Sequence, residues 1–372
     1  MSVRKAVTRA IAGRYARATK VEKGAILDEL CALTGWTRRH ARRAIAVAQQ
    51  GRQAPPPIRP VVYDAEVVNA LRRVWIVMGG PCGKRPAPFM VEIVTALGRH
   101  GELSLATDVR ARLLAISPAT IDRALAADRK RLQVKGRTGT KPGSLLKAQI
   151  PIRTFAQWDE SGPGFCEIDL VAHDGGNPMG EFCHTLTLTD VSTGWTEMRA
   201  VKNKAQRWVF VALLDIERVL PFPLLGIDSD NGSEFINDHL FRYCRENEIT
   251  FTRTRPYRKN DNCFVEQKNW TVVRQPVGYG RFEGKAAVDS LNELYGSLRL
   301  WVNFFCPQQS SSPRPATGAR VSRRYDKAQT PLQRQAAGPG FSEPVIETLL
   351  AAYWHTNPVV LTRTTGHCRR GY

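Results

Sequence analysis

Apolar residues recur along this chain with two different periods, and the switch falls near residue 150. Val21, Ala25, Leu27, Leu30 and Leu33 lie at helical spacing, and "TGW" at 34–36 interrupts them. Thr37 is placed to cap a second helix that carries Ala41, Ala44, Ile45 and Ala48 on one face. Two helices joined by a tight Gly turn, the second one basic, predict a helix-turn-helix unit over 1–50. The Pro-rich run "GRQAPPPIRP" marks a linker over 51–63. Residues 64–131 read as mostly helical. Ser117 and Pro118 there form an N-cap followed by Pro at the first helical position, which predicts a second helix-turn-helix-like, DNA-binding unit. A basic, Gly-rich connector follows over 132–155.

Beyond it the period shortens. "GFCEIDLVAH", "CHTLTLTDV" and "GWTEMRAV" are short and rich in β-branched and aromatic residues, with Gly, Asn and Asp between them. They predict three sequential strands in an antiparallel meander. "NKAQRWVFVALLDIERVL" reads as an amphipathic helix, "LLGID" as a fourth strand, "SEFINDHLFRYCREN" as a helix and "EITFTRT" as a fifth strand. "NDNCFVEQKNWTVVRQ" starts a further helix, and 278–308 look helical. The order predicts an α/β layer with a mixed five-stranded sheet over 156–308, preceded by all-α units. The tail, 309–372, is basic and rich in Pro and Ser. It reads as poorly ordered, with one short helix in "VIETLLAAYWHT".

Charge adds a partner to this outline. The 372 residues carry 54 Lys+Arg against 34 Asp+Glu, a net charge of +20. Residues 1–50 hold 11 basic and 3 acidic residues, 129–147 hold 7 and none, and 309–335 hold 6 and 1. The three patches account for the whole excess and leave the middle of the chain neutral. Excess charge confined to a head, a connector and a tail predicts contact with a polyanion, double-stranded DNA. Arg38, Arg39, Arg42 and Arg43 on the second helix are the candidate DNA contacts. No window reaches about 18 uninterrupted apolar residues, so no membrane span is expected. The first 20 residues lack the apolar run of a signal peptide. Eight cysteines, with no CxxC pair, suit free thiols in a reducing cytoplasm. Cys31, Cys82, His40 and His100 are the only Cys and His residues in 1–150. They have no ligand-like spacing, so no structural zinc is expected.

Three acids stand out against this background. Asp169 lies mid-strand among apolar residues, on the same face as Phe165 and Glu167 by alternation. Asp230 follows the fourth strand, and Glu266 sits early in a helix with 35 residues between the two. Ionised carboxylates at such places need a partner: an arginine, a backbone cap or a metal ion. Asp228 is the alternative to Asp230, with a gap of 37 residues. Glu167 reads as exposed or secondary, Asp190 as a turn former, and Trp208 and Trp270 as core.

The stretches "EIDL", "DSDNGSEF" and "RPYRKNDNCFVEQKN" resemble the DDE transposases and retroviral-type integrases, which share the 35-residue gap and the "DNG.EF" box. The resemblance is strong over roughly 160–275. Outside it the chain looks like a bacterial insertion-sequence transposase with N-terminal helix-turn-helix units. The resemblance implies an RNase H-like core with Asp169, Asp230 and Glu266 as catalytic acids and metal ligands. It also implies two Mg²⁺ ions per site, with Mn²⁺ as a substitute. The chemistry implied is cleavage at transposon ends and strand transfer into target DNA by at least a dimer associated with the nucleoid. Asn231 and Gly232 would present Asp230. Lys259, Asn260, Asn262, Gln267 and Lys268 surround Glu266 as candidate DNA contacts. A regulator with a dead core, or an RNase H-type nuclease acting on RNA–DNA hybrids, is the alternative.

Overall fold

The computed structural model describes residues 3–49, 62–131, 162–229, 235, 238–253, 265, 268–313, 323–338 and 342–366. They fall into two compact units, residues 1–62 and 63–372.

The first unit contains three helices: α1 (Val3–Arg17), α2 (Lys20–Thr34) and α3 (Arg38–Gln49). A capping box opens α2, with Thr19 and Glu22 satisfying each other's backbone donors. Gly35 ends it in the left-handed region, φ 69°, where a Cβ is strained. The core is small: Ile11 and Ala12 from α1, Ile26, Leu27 and Leu30 from α2, Ala41 and Ile45 from α3. The stripe on α2 is therefore rotated from the expected one. Ile26, Leu27, Leu30 and Thr34 are buried, while Val21 and Leu33 are 84% and 63% exposed. Helix α1 has almost no periodic signal because it buries only Thr8, Ile11 and Ala12.

In the second unit, α4 (Ala65–Val77), α5 (Pro86–Arg99), α6 (Thr107–Leu114), α7 (Pro118–Ala124) and α8 (Ala126–Arg131) precede the sheet. Ser117 caps α7 by accepting from the Thr120 N–H, with Pro118 at the first helical position. The pattern set 64–131 apart as a unit of its own, yet its core is continuous with that of the sheet. Trp301 Nε1 donates to the Val77 carbonyl at 2.7 Å, and Gln275 Nε2 to that of Gly79 at 3.1 Å. These bonds fasten the C-terminal end of α4 to the core.

Five strands form one mixed sheet in the order β3-β2-β1-β4-β5. They are β1 (Phe165–Ala172), β2 (His184–Asp190), β3 (Thr196–Val201), β4 (Gly226–Ser229) and β5 (Thr250–Arg253). The first three are antiparallel, and β4 and β5 join in parallel through α9 (Gln206–Glu217) and α10 (Asp238–Glu246). The predicted meander and the predicted five-stranded α/β layer are both present. The two faces of the sheet differ in chemistry. Ile168 and Leu186 line an apolar seam with Val209 and Leu213 of α9. The opposite face carries Glu167, Asp169, Thr185, Thr187, Thr189 and Asp228, aligned by register.

The long helix α11 (Gly284–Phe305) protects the outer edge of β3. Asn303 accepts from the Thr196 N–H and donates to its carbonyl, both at 2.9 Å, and Asn292 does the same for Ala200. Two amide side chains thus stand in for a neighbouring strand on an otherwise open edge. Replacing Asn303 with Leu leaves two backbone groups of fully buried Thr196 unpaired. At about 1–3 kcal/mol each, the expected loss is roughly 2–6 kcal/mol in urea unfolding of the full chain.

The tail is more ordered than its composition suggests. It forms a short hairpin, β6 (Ser311–Pro313) with β7 (Arg323–Tyr325), then α12 (Pro331–Ala337), α13 (Glu343–His355) and α14 (Pro358–Thr364). Only α13 had been expected. A capping box at Thr330 and Gln333, and the Asn357 cap before Pro358, start the two shorter helices. Leu332 and Leu361 then bury against the main core. Among the described residues no helix is long and apolar enough to cross a membrane.

Candidate active site

The polar face of the sheet is sealed almost everywhere. Glu167, Thr185, Thr187, Thr189 and Asp228 are 0% exposed, whereas Asp169 remains half-buried. Its Oδ1 accepts from the Leu170 N–H at 2.8 Å, and its Oδ2 accepts from Asn269 Nδ2. Thr187, directly opposite Asp169 across β1 and β2, has a buried hydroxyl with no hydrogen-bond partner among the described residues. The same holds for Asn269 Oδ1. Two oxygens, on the residue paired with Asp169 across the sheet and on the amide that bonds it, thus have capacity to spare among the described residues. Hard oxygen donors of this kind suit Mg²⁺.

Glu167 was expected to be exposed or secondary, and the structure corrects this. It is fully buried, and its Oε2 accepts the Val265 N–H at 3.0 Å. Alternation placed it on the Asp169 face, but only the fold shows that chain from far along the sequence covers that face. Asp228, the register neighbour of Glu167, accepts from Thr252 Oγ1 at 2.5 Å. Asp190 does form a turn. It accepts from the Thr193 N–H and hydroxyl at 2.7 and 2.6 Å and from the Gly164 N–H at 2.9 Å. Burial nevertheless holds its pKa above the usual carboxylate range.

Asp230 and Glu266 lie outside the described residues, as do Asn231, Gly232, Lys259, Asn260, Asn262 and Gln267. Among the described residues no group of three or more His, Cys, Asp and Glu side chains is arranged to hold a metal.

The chain after Glu266 is a π-helix, Asn269–Arg274. Such wide turns concentrate at functional sites. The turn buries Val272, Val273 and Arg274 in succession and leaves Trp270 44% exposed. Trp270 is therefore not the core residue expected, because the widened turn breaks the 3.6-residue phase. Trp208 is partly buried and packs against the core. Lys268 was expected to contact DNA, but its side chain is buried and Nζ donates to the Gly194 carbonyl at 2.8 Å. Burial, reinforced by Arg85 and Arg334, lowers its pKa to about 7.

Arg274 was not singled out from the sequence. The residue is 9% exposed, and its guanidinium stacks over Tyr279 at 4.9 Å and interacts electrostatically with Asp174, Tyr295 and Asp169. Beside it His173 Nε2 pairs with Thr185 Oγ1 at 2.8 Å, and Thr185 with Tyr295 OH at 2.6 Å. Burial and the nearby Arg274 push the His173 pKa down to about 3, so the ring is neutral at physiological pH. A basic residue on the helix that follows Glu266 was the available signal for Arg274. Its depth was not legible without the π-turn.

On the first unit, Arg39, Arg42 and Arg43 are exposed along α3. Arg38 is exposed too, but it bonds Asp28 at 2.7 Å and the Gly24 carbonyl at 3.1 Å, which braces α3 against α2.

Residues 161–259 match the family model described as integrase core domain. Over 336 residues the chain is 39% identical to the uncharacterized protein y4rM of Sinorhizobium fredii, covering 90% of this chain and 95% of that protein. Among solved structures it aligns with the catalytic core domain of BIV integrase at 16% identity and TM-score 0.32, covering 47% of this chain and 95% of that one. It also aligns with the HTLV-2 integrase catalytic core domain in complex with magnesium, at 16% identity and TM-score 0.30, covering 39% and 90%. A third match is a simian T-cell lymphotropic virus intasome, at 16% identity and TM-score 0.36, covering 69% and 77%.

Proposed function

We propose that this chain, whose residues 161–259 match the integrase core domain model, is the DDE-type transposase of a bacterial insertion sequence, cutting its element's ends and joining them to target DNA. The observation that carries this reading is a carboxylate that stays half-buried on a polar face where its described neighbours Glu167 and Asp228 are fully buried. Asp169 pairs in register with Thr187 and bonds Asn269, each with an unpaired oxygen among the described residues, and it interacts with the Arg274 guanidinium. Asp169, Asp230 and Glu266 would hold Mg²⁺, or Mn²⁺ in its place. When bound, the ions supply charge stabilisation for the attacking and leaving oxygens of an in-line displacement at phosphorus.

The chain's own residues prepare that displacement. Asn269 fixes one oxygen of Asp169 and leaves the carboxylate oriented. Glu167 secures the backbone of Val265, one residue before Glu266. Arg274 brings positive charge to the place where the phosphate's negative charge arrives. Arg39, Arg42 and Arg43 neutralise backbone phosphates at the element's ends. Lys259 and Asn260 remain candidate contacts near the cut. Joining two ends requires two copies of the site, so the working form on DNA is at least a dimer.

The test is a duplex that carries the inverted repeats flanking the gene, incubated with the protein and Mg²⁺ or with EDTA. Nicks at the repeat terminus and longer strand-transfer products, both lost in EDTA, are expected. Preferential cutting of an RNA–DNA hybrid would indicate an RNase H-type nuclease instead. Tight binding without any cut would indicate a regulator with a dead core.

A further inference from the structure

Val265, Lys268 and Asn269 each meet the sheet through one hydrogen bond. The Val265 N–H reaches Glu167 on β1, Asn269 Nδ2 reaches Asp169 on β1, and Lys268 Nζ reaches the Gly194 carbonyl between β2 and β3. The third acceptor is a rigid one. Gly194 stands at φ 73° in a turn closed by its own N–H to the Asp190 carbonyl, at 2.9 Å. Thr196 Oγ1 donates to the same Gly194 oxygen at 3.0 Å. The Asp190 carboxylate in turn holds the Gly164 N–H at the entry to β1. Lys268 is thus tied, through one turn, to the start of the strand that bears Asp169.

As a stabilising element this lysine is a poor choice. Its side chain is buried, and the groups acting on it are the Cys306 thiol and two further cations, Arg85 and Arg334. A buried amino group with no acidic partner among the described residues costs more than an apolar side chain of the same length. What the amino group adds over a methionine is direction: a donor aimed at one fixed carbonyl, on the residue next to Asn269.

We propose that Lys268 is a positioning residue that sets the height and rotation of the π-helical turn, so that Asn269 meets Asp169. This rests on the reading of the core as a DNA-cutting and joining enzyme.

Lys268→Met in the full chain tests it, with Lys268→Gln as a second variant, by three measurements: thermal stability, single-turnover cleavage of the repeat duplex with Mg²⁺, and amide hydrogen exchange over 269–274. We expect Lys268→Met to keep or raise the wild-type Tm and to keep DNA affinity. Cleavage should fall tenfold or more, and amides in 269–274 should lose protection. Lys268→Gln, which retains a donor, should recover part of both. Wild-type cleavage and unchanged exchange in Lys268→Met would overturn the proposal. So would a loss of activity that merely tracks the unfolded fraction. If the wild-type protein cuts no DNA, the enzymatic reading fails, and exchange in the two variants still decides whether Lys268 holds the turn.

Discussion

Asp169→Asn is expected to lower Mg²⁺-dependent cleavage of the repeat duplex by about a thousandfold or more. The amide keeps the shape of the side chain but loses the charge that would hold a divalent cation. Losing several kcal/mol of charge stabilisation at about 1.4 kcal/mol per tenfold gives that magnitude. Folding should change little. Asp169 is only half-buried, and the oxygen that accepts the Leu170 N–H is retained. DNA affinity should hold or rise, because a negative charge facing the phosphates is removed. Single-turnover gels and fluorescence anisotropy on the same samples check both halves. Cleavage within tenfold of wild type would remove Asp169 from the chemistry.

The second large effect is expected on binding. Changing Arg39, Arg42 and Arg43 together to Ala should weaken binding to the repeat duplex by about a hundredfold or more near physiological salt. The slope of log K against log salt should fall by roughly 2–3, since each lost phosphate contact contributes about 0.9. The helix itself should survive, because its buried side are Ala41 and Ile45. Arg38→Ala provides the contrast. Its exposed pair with Asp28 is worth at most about 1 kcal/mol to the unit. The salt slope should then stay at its wild-type value. A triple variant with an unchanged slope would place the DNA contact elsewhere.

Much of this fold was readable along the chain, for reasons that can be named. The strands around Asp169 alternate cleanly because one sheet face is apolar and the other carries threonines and acids. Ser117-Pro118 and Thr37 are local signals that act before any tertiary contact forms. The misreadings share a cause in long-range packing. Glu167 is buried because Val265 comes back across the strand, and no local pattern shows that. Lys268 looks like a solvated helix lysine until Gly194 is brought beside it. Trp270 turns outward because the π-turn shifts the phase of its helix. Helix α1 carries little periodic signal because a three-helix unit buries only Thr8, Ile11 and Ala12 of it. Of the candidate site, the acids were legible as residue types at a set spacing. Asn269, which bonds Asp169, and Arg274, which lies in its electrostatic reach, became visible only in three dimensions.

Convergence of the three acids can be measured without any DNA. Fe²⁺ in place of Mg²⁺, with ascorbate and peroxide, releases hydroxyl radicals at the bound ion and cuts the nearest backbone. A shared metal site predicts cuts beside residues 169, 230 and 266 together, all suppressed by excess Mg²⁺ and absent from Asp169→Asn. Cuts beside only one of the three, or cuts that survive in Asp169→Asn, would contradict a common site.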